Sequence, residues 1–335
     1  MYEELSRDAH AVLFPAFDGL DLDTTLVSFL YSGGKTLLLG ESRAEYVGRR
    51  MSDERQKRET QQQFKDLATK ARGIAGPVLI GVDQELAGIQ RLHNLVSPLP
   101  DLKTARQLSS AEIEKAAKDT AEAAKKLGVN LFLAPILDVV RGPNPWLDGR
   151  ALGGEVDEVA RISAAFIRGV QSAGVAATAK HFPGHPVTPE DPALAEAVVS
   201  GTAREILDLA SPFRVAINAG VKIVMTGPAL IPSLDPHWAA SLSPKIVGML
   251  RADFGFEGLI MSDDLDAPGI LRGASLIDSA IASLAAGVDL LLLAAGPHLP
   301  GVVEGIVQAV ERRELSASRL KEAANRVRVL AETVS

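Results

Sequence analysis

The sequence has no cysteine, which excludes disulfides and thiolate metal sites. It has no excess of basic charge either. Its 35 Lys and Arg stand against 42 Asp and Glu, a formal net charge of −7. That balance argues against nucleic acid or an anionic membrane as the main partner. A secretory leader is not visible, because the opening MYEELSRDAH mixes both charge signs and has no apolar core. The longest apolar stretch, VDLLLLAAG at 288–296, is too short to cross a bilayer. The six histidines lack HExxH-type spacing and no dense carboxylate cluster demands a cation, so no metal is expected. Linkers, low-complexity segments and short repeats are also missing. One domain over 1–335, soluble and cytoplasmic, is the expectation.

What is present is alternation. Leucine-rich or β-branched runs predict strands near 11–16, 36–39, 78–82, 130–134, 176–180, 222–226, 258–262 and 288–294. Most are apolar without a period of two, as parallel strands covered on both faces should be. Between them, helical periodicity predicts helices over 53–72, 109–127, 156–173, 202–219, 243–252, 274–286 and 299–313. A weaker helix is predicted at 21–31, and an extra C-terminal one over 317–334. Ser109 with Glu112 and Thr202 with Glu205 have the spacing of capping boxes, and Ser243 precedes Pro244 as a cap before an N1 proline. Eight strand–helix repeats are the pattern of a (β/α)8 (TIM) barrel, an α/β fold. A doubly wound open sheet is the alternative, but it favours a glycine-rich phosphate turn after an early strand. Here the first strand runs into FPAFDG instead.

In such a barrel the chemistry lies at the carboxyl ends of the strands. Asp83, Glu85 and Arg91 follow the third predicted strand, and Asp138 and Arg150 the fourth. Lys180 and His181 close the fifth, and Asp263 and Asp264 follow the seventh. Each has a bland alternative: Asp264 reads first as a helix cap, and His185, held among glycine and prolines, as structural. Trp146 and Trp238 suit either a sugar platform or packing. The joint placement of so many charged groups on one face points to a site.

Five stretches carry a family resemblance: GVDQE with IQR, APILDVVRGPNPWLDGRALGG, AKHFPGH, VMTGPALIPSLDP and GFEGLIMSDDLDAPG. With them the chain resembles family 3 glycoside hydrolases, in particular single-domain bacterial β-N-acetylglucosaminidases of the peptidoglycan-recycling type. The resemblance spans about residues 75–295. It implies that Asp263 is a nucleophile that forms a glycosyl-enzyme with retention. It also implies that Asp83, Arg91, Arg150, Lys180 and His181 bind the sugar hydroxyls. The substrate implied is a small glycoside that contains N-acetylglucosamine, and no cofactor is needed.

The resemblance also exposes a gap. In these enzymes the loop after KHFPGH carries an Asp-Ser-His triplet whose histidine is the general acid/base. Here the stretch reads Asp191-Pro192-Ala193. Pro186 and Val187 replace the usual Gly and Asp, and Leu86 and Gly88 replace a glycine and an arginine near Glu85. Three explanations stand open. Another group supplies the proton, with Glu190, Asp191 and His185 as local candidates. The substrate or acceptor needs no such help. Or sugar binding remains and turnover is lost, leaving a binding or regulatory protein. Outside glycosidases, an aldolase-like enzyme would use Lys180 as a Schiff base.

Overall fold

The computed structural model describes residues 2–335. Eight parallel strands form the barrel: β1 Leu13–Phe17, β2 Thr36–Leu39, β3 Leu79–Val82, β4 Leu131–Phe132, β5 Ala176–Phe182, β6 Ile223–Thr226, β7 Leu259–Met261 and β8 Leu291–Ala294. β8 pairs with β1 through Leu13 and Leu291, and a bridge between Met261 and Leu290 brings β7 to β8, closing the ring. The eight predicted strands are all present.

The strands read as unbroken apolar runs because both of their faces are covered. Along β2, Leu38 points into the barrel while Leu37 and Leu39 face the helices; along β7, Leu259 and Met261 point inward and Ile260 outward. The period of two is therefore real but hydrophobic at every step. The lower barrel is stoppered by the helix Ala317–Val334, whose Val327, Leu330, Ala331 and Val334 join the interior cluster of Phe14, Leu79 and Leu131.

Helix starts follow their caps. Ser109 and Glu112 make a reciprocal box at Ser110–Lys126, Thr202 and Glu205 one at Ala203–Leu209, and Ser243 accepts from the Ile246 N–H ahead of Pro244–Ala252. Two predicted helices are broken. The stretch 53–72 is Asp53–Arg58 and Gln61–Ala75, because Glu59 is extended and Thr60 starts a new capping box with Gln63. The stretch 202–219 divides at Ala210, where Pro212 opens Ser211–Asn218. The sequence reading also missed the helices Tyr2–Ala11, Arg43–Gly48 and Leu102–Gln107 and the hairpin Leu230–Ile231/Asp235–Ala239. Three peptides, Ala134–Pro135, Lys180–His181 and Phe182–Pro183, are cis.

At the lower rim the fully buried Asp289 gathers three guanidinium groups. Arg251 lies 2.9 Å away, Arg326 3.1 Å away, and Arg319 is bonded to the same carboxylate; the Ile260 N–H donates to it as well. One carboxylate thus ties the helices Pro244–Ala252 and Ala317–Val334 to β7 and β8. Removing it leaves several cations facing one another without a counter-charge. Asp289→Ala is expected to lower unfolding free energy by about 3 kcal/mol or more, measured by urea denaturation.

Candidate active site

The carboxyl ends of the strands surround a cavity of about 270 Å³, lined among others by Glu41, Arg43, Tyr46, Asp83, Trp146, Arg150, Lys180, His181, Ala193, Asp263 and Asp264. Each comes from a strand end or the loop after it, where main-chain pairing stops and side chains turn toward the axis.

One wall is an ion-pair relay. The Lys180 Nζ lies 2.6 Å from Asp83 and 2.8 Å from Glu85, and Arg150 grips Glu85 at 2.6 and 3.1 Å. Burial alone disfavours the Lys180 ammonium, but the carboxylates of Asp83 and Glu85 outweigh it and its pKa is raised. Lys180 is therefore a fixed cation, whereas a Schiff-base lysine needs a depressed pKa. Arg150 keeps one buried nitrogen, Nη1, without a hydrogen-bond partner among the described residues. A Cβ on Gly88 would fall 2.0 Å from the Glu85 carboxylate, so this pair rests directly on the glycine that replaces the family's arginine.

Glu41, just past β2, was not foreseen. Burial raises its carboxyl to about 8, with the charges of Asp83 and Glu85 adding to the effect. Its Oε2 is buried without a partner. At neutral pH it is a protonated acid, a donor among acceptors.

The second wall is built on Asp138. This carboxylate is wholly buried; its Oδ2 accepts from the backbone N–H and the Nδ1 of His181, and its Oδ1 from the same two groups of His185. Burial opposes its charge, but the two imidazoles overcome that and hold the carboxyl well below the usual range. An ionised acceptor at Nδ1 requires a proton there, so each histidine is a donor at Nδ1. Burial lowers the pKa of His181 despite Asp138. In the neutral form its Nε2 is then a lone pair, facing Asp263 Oδ2 at 3.8 Å. Two acceptors facing each other in this way call for two separate donors. The ligand atoms of Asp138, His181 and His185 lie within 4.8 Å of one another, as a metal site would require. However, both carboxylate oxygens are already taken by four N–H donors, which suits a support rather than a cation.

Asp263 completes the site. Its backbone N–H is held by Ser241 Oγ at 3.1 Å, its Oδ1 accepts from the Asp264 N–H at 2.7 Å, and its Oδ2 is buried with no hydrogen-bond partner among the described residues. Trp146 is also in place. Its ring lies 4.4 Å from that of His181, and its Nε1 donates to Tyr46 Oη. Trp238, by contrast, is 46% exposed on the hairpin and away from the cavity.

The structure brings Asp83, Arg150, Lys180, His181 and Asp263 to one cavity. Arg91 is elsewhere: its guanidinium is fully buried, bidentate to Glu59 at 2.7 and 2.9 Å, with Nε on the Gly40 carbonyl at 2.7 Å. This corrects the expectation that it meets a sugar. The charge is satisfied within the protein, and Arg91 touches the site through the Gly40 carbonyl and through its charge near Glu41. The three candidate proton donors also lie outside the lining. Glu190 is exposed. Asp191 turns back to cap the Ala193 N–H at 2.9 Å and faces Arg49 at 3.7 Å. His185 is sealed beneath the wall, its ring pressed on Gly227. Pro192 and Ala193 themselves line the cavity, so a methyl group stands where the resemblance implies an imidazole.

The comparisons agree with this geometry. The model of the glycosyl hydrolase family 3 N-terminal domain matches residues 41–330. A beta-hexosaminidase of Stenotrophomonas maltophilia (strain K279a) is 34% identical over 272 residues, covering 78% of this chain and 79% of that one. Among solved structures, a family 3 beta-N-acetylglucosaminidase from Paenibacillus sp. str. FPU-7 aligns over 98% of this chain with a TM-score of 0.88 and 29% identity; this chain spans 62% of that protein's length. A beta-N-acetylhexosaminidase from Beutenbergia cavernae DSM 12333 aligns over 98% of both chains with a TM-score of 0.84 and 26% identity. No helix among the described residues is long and apolar enough to cross a membrane. With a family match across most of its length and a barrel of the same shape, the chain belongs to glycosyl hydrolase family 3 and is a β-N-acetylhexosaminidase-like glycosidase.

Proposed function

We propose that this protein is a retaining β-N-acetylhexosaminidase that acts on a small soluble N-acetylglucosaminide through a covalent intermediate on Asp263. The observation that carries this reading is the buried, unpartnered Asp263 Oδ2, opening on a cavity that also holds the unpartnered Glu41 Oε2 and Arg150 Nη1. Buried polar atoms without partners are costly, and a hydroxylated ring supplies the missing bonds. Asp263 Oδ2 attacks the anomeric carbon as the bond to the leaving oxygen breaks. Water then displaces the carboxylate, and two inversions give retention. Asp83, Lys180, Arg150 and the His181 Nε2 hold the hydroxyls, and the volume suits a single pyranose with its substituent. The cysteine-free composition supports a cytoplasmic setting.

A second reading, sugar binding without efficient turnover, is favoured by one observation: Ala193 at the cavity wall, with Glu190, Asp191 and His185 all outside it. Activity on an aryl N-acetyl-β-glucosaminide separates the two. Asp263→Ala is expected to lower turnover of that substrate by about 10⁴-fold or more, with binding of N-acetylglucosamine retained in calorimetry. Undiminished turnover by the variant removes Asp263 as nucleophile.

Glu41 gives a pH prediction. Below about 8 its carboxyl is neutral and donates. Above that value it ionises, placing a third carboxylate beside Asp83 and Glu85 against only Lys180 and Arg150. KM is expected to be flat from pH 6 to 7 and to rise as pH passes about 8. Glu41→Gln, which mimics the protonated form, is expected to keep the low KM and to lose the alkaline rise in steady-state profiles.

A further inference from the structure

We infer that Asp264 is the acid/base of this glycosidase: it protonates the leaving oxygen in the first step and takes a proton from the attacking water in the second. The inference rests on the reading of Asp263 as nucleophile and adds the group that completes its chemistry.

The geometry supports Asp264 from several sides. It lines the cavity beside Asp263 and is tied to it, its own N–H donating to Asp263 Oδ1 at 2.7 Å. Its Oδ1 accepts from the Asp266 N–H at 3.1 Å, which fixes the carboxyl in a turn. The Asp266 N–H is the one hydrogen bond to its carboxylate among the described residues. The loop through Pro192 and Ala193 packs against this same segment. The Gly269 N–H donates to the Pro192 carbonyl at 2.9 Å, and Arg43 donates to the Ala193 carbonyl at 3.0 Å. Pro192, Ala193, Arg43 and Asp264 therefore form one side of the cavity, with a methyl in place of a ring. The other protonated acid, Glu41, has Asp83, Glu85, Lys180 and Arg150 as its charged neighbours and belongs to the hydroxyl-binding end.

The electrostatics suit both halves of the cycle. Burial, then the charges of Asp266 and Asp263, raise the Asp264 carboxyl to about 7, with Arg43 acting in the opposite direction. Below about pH 7 the free enzyme thus holds a proton on Asp264, next to the Asp263 carboxyl. As Asp263 Oδ2 bonds to the anomeric carbon, the bond from that carbon to the glycosidic oxygen breaks, and the Asp264 proton passes to that oxygen. The aglycone leaves as a neutral alcohol. Asp263 is now an ester without charge, so one of the two repulsions that kept Asp264 protonated is gone. The Asp264 carboxylate then takes a proton from water as the water oxygen attacks the anomeric carbon and the ester bond breaks. Sugar is released, and Asp263 is ionised and Asp264 protonated again.

The test is a series of aryl and alkyl N-acetyl-β-glucosaminides of graded leaving-group ability, run on the full chain and on Asp264→Asn, which keeps a carbonyl acceptor for the Asp266 N–H. Asp264→Asn is expected to lose about 10²–10⁴-fold on poor leaving groups and little on the 2,4-dinitrophenyl glycoside in the first step. Sodium azide, which needs no base, is expected to restore turnover of that substrate and to yield the β-glycosyl azide. The inference is overturned if the variant falls equally on every aglycone without azide rescue, or retains the poor ones. It is also overturned if Asp191→Ala, rather than Asp264→Asn, becomes azide-dependent. If the unaltered protein cleaves none of the series, the proposed function fails as well. If it cleaves them and Asp264→Asn behaves identically, only the present inference fails.

Discussion

The site depends on one buried carboxylate. Asp138 is the acceptor for two backbone N–H groups and two imidazoles at the end of β5 and the turn after it. Four donors on one anion, away from water, fix position and protonation together. They set the backbone that carries Lys180 and His181, and they place the proton of His181 on Nδ1, leaving Nε2 to face Asp263. The relay of Asp83, Lys180, Glu85 and Arg150 is anchored on the neighbouring strand ends and shares Lys180 with this support. Asp263 approaches from the other side, two residues past β7, its backbone N–H held by Ser241. The site is thus assembled from separate strand ends that the closed barrel holds in register.

Charge balance explains much of the rest. Five carboxyl groups, on Glu41, Asp83, Glu85, Asp263 and Asp264, crowd one small volume in which Arg43, Arg150 and Lys180 are the fixed cations. Two of the five, Glu41 and Asp264, respond by holding protons near neutral pH. They sit at different ends: one beside Asp83 and Glu85, the other beside Asp263. A pocket of ionised carboxylates would repel itself and offer acceptors alone. This one offers donors as well.

Much of this was legible in the sequence, for identifiable reasons. The eight strands are readable because parallel strands covered on both faces become apolar runs. Helix starts at Ser110, Ala203 and Pro244 are readable because capping is local. Asp83, Lys180, His181 and Asp263 are readable from motif and from their place after strands. What was not legible depends on contacts distant in sequence. Glu59, at the break between two helices, has its carboxylate engaged by Arg91, 32 residues away, and this contact withdraws Arg91 from the site. Glu41 is an unremarkable residue until folding sets it beside Asp83. The six-residue helix Arg43–Gly48 is too short for a periodic signal, yet its Arg43 and Tyr46 close the cavity.

The stopper helix has a consequence for how the chain reaches this state. The interior strand residues Phe14, Leu79 and Leu131 find part of their packing only on Val327, Leu330 and Val334, and β1 obtains one of its two neighbours only from β8. Early strands must wait for partners nearly three hundred residues downstream. During synthesis the barrel therefore cannot close before β8 and the last helix are available. Until then the apolar inner faces are targets for chaperones, and a nick near residue 315 should loosen the floor of the barrel more than it disturbs any single strand.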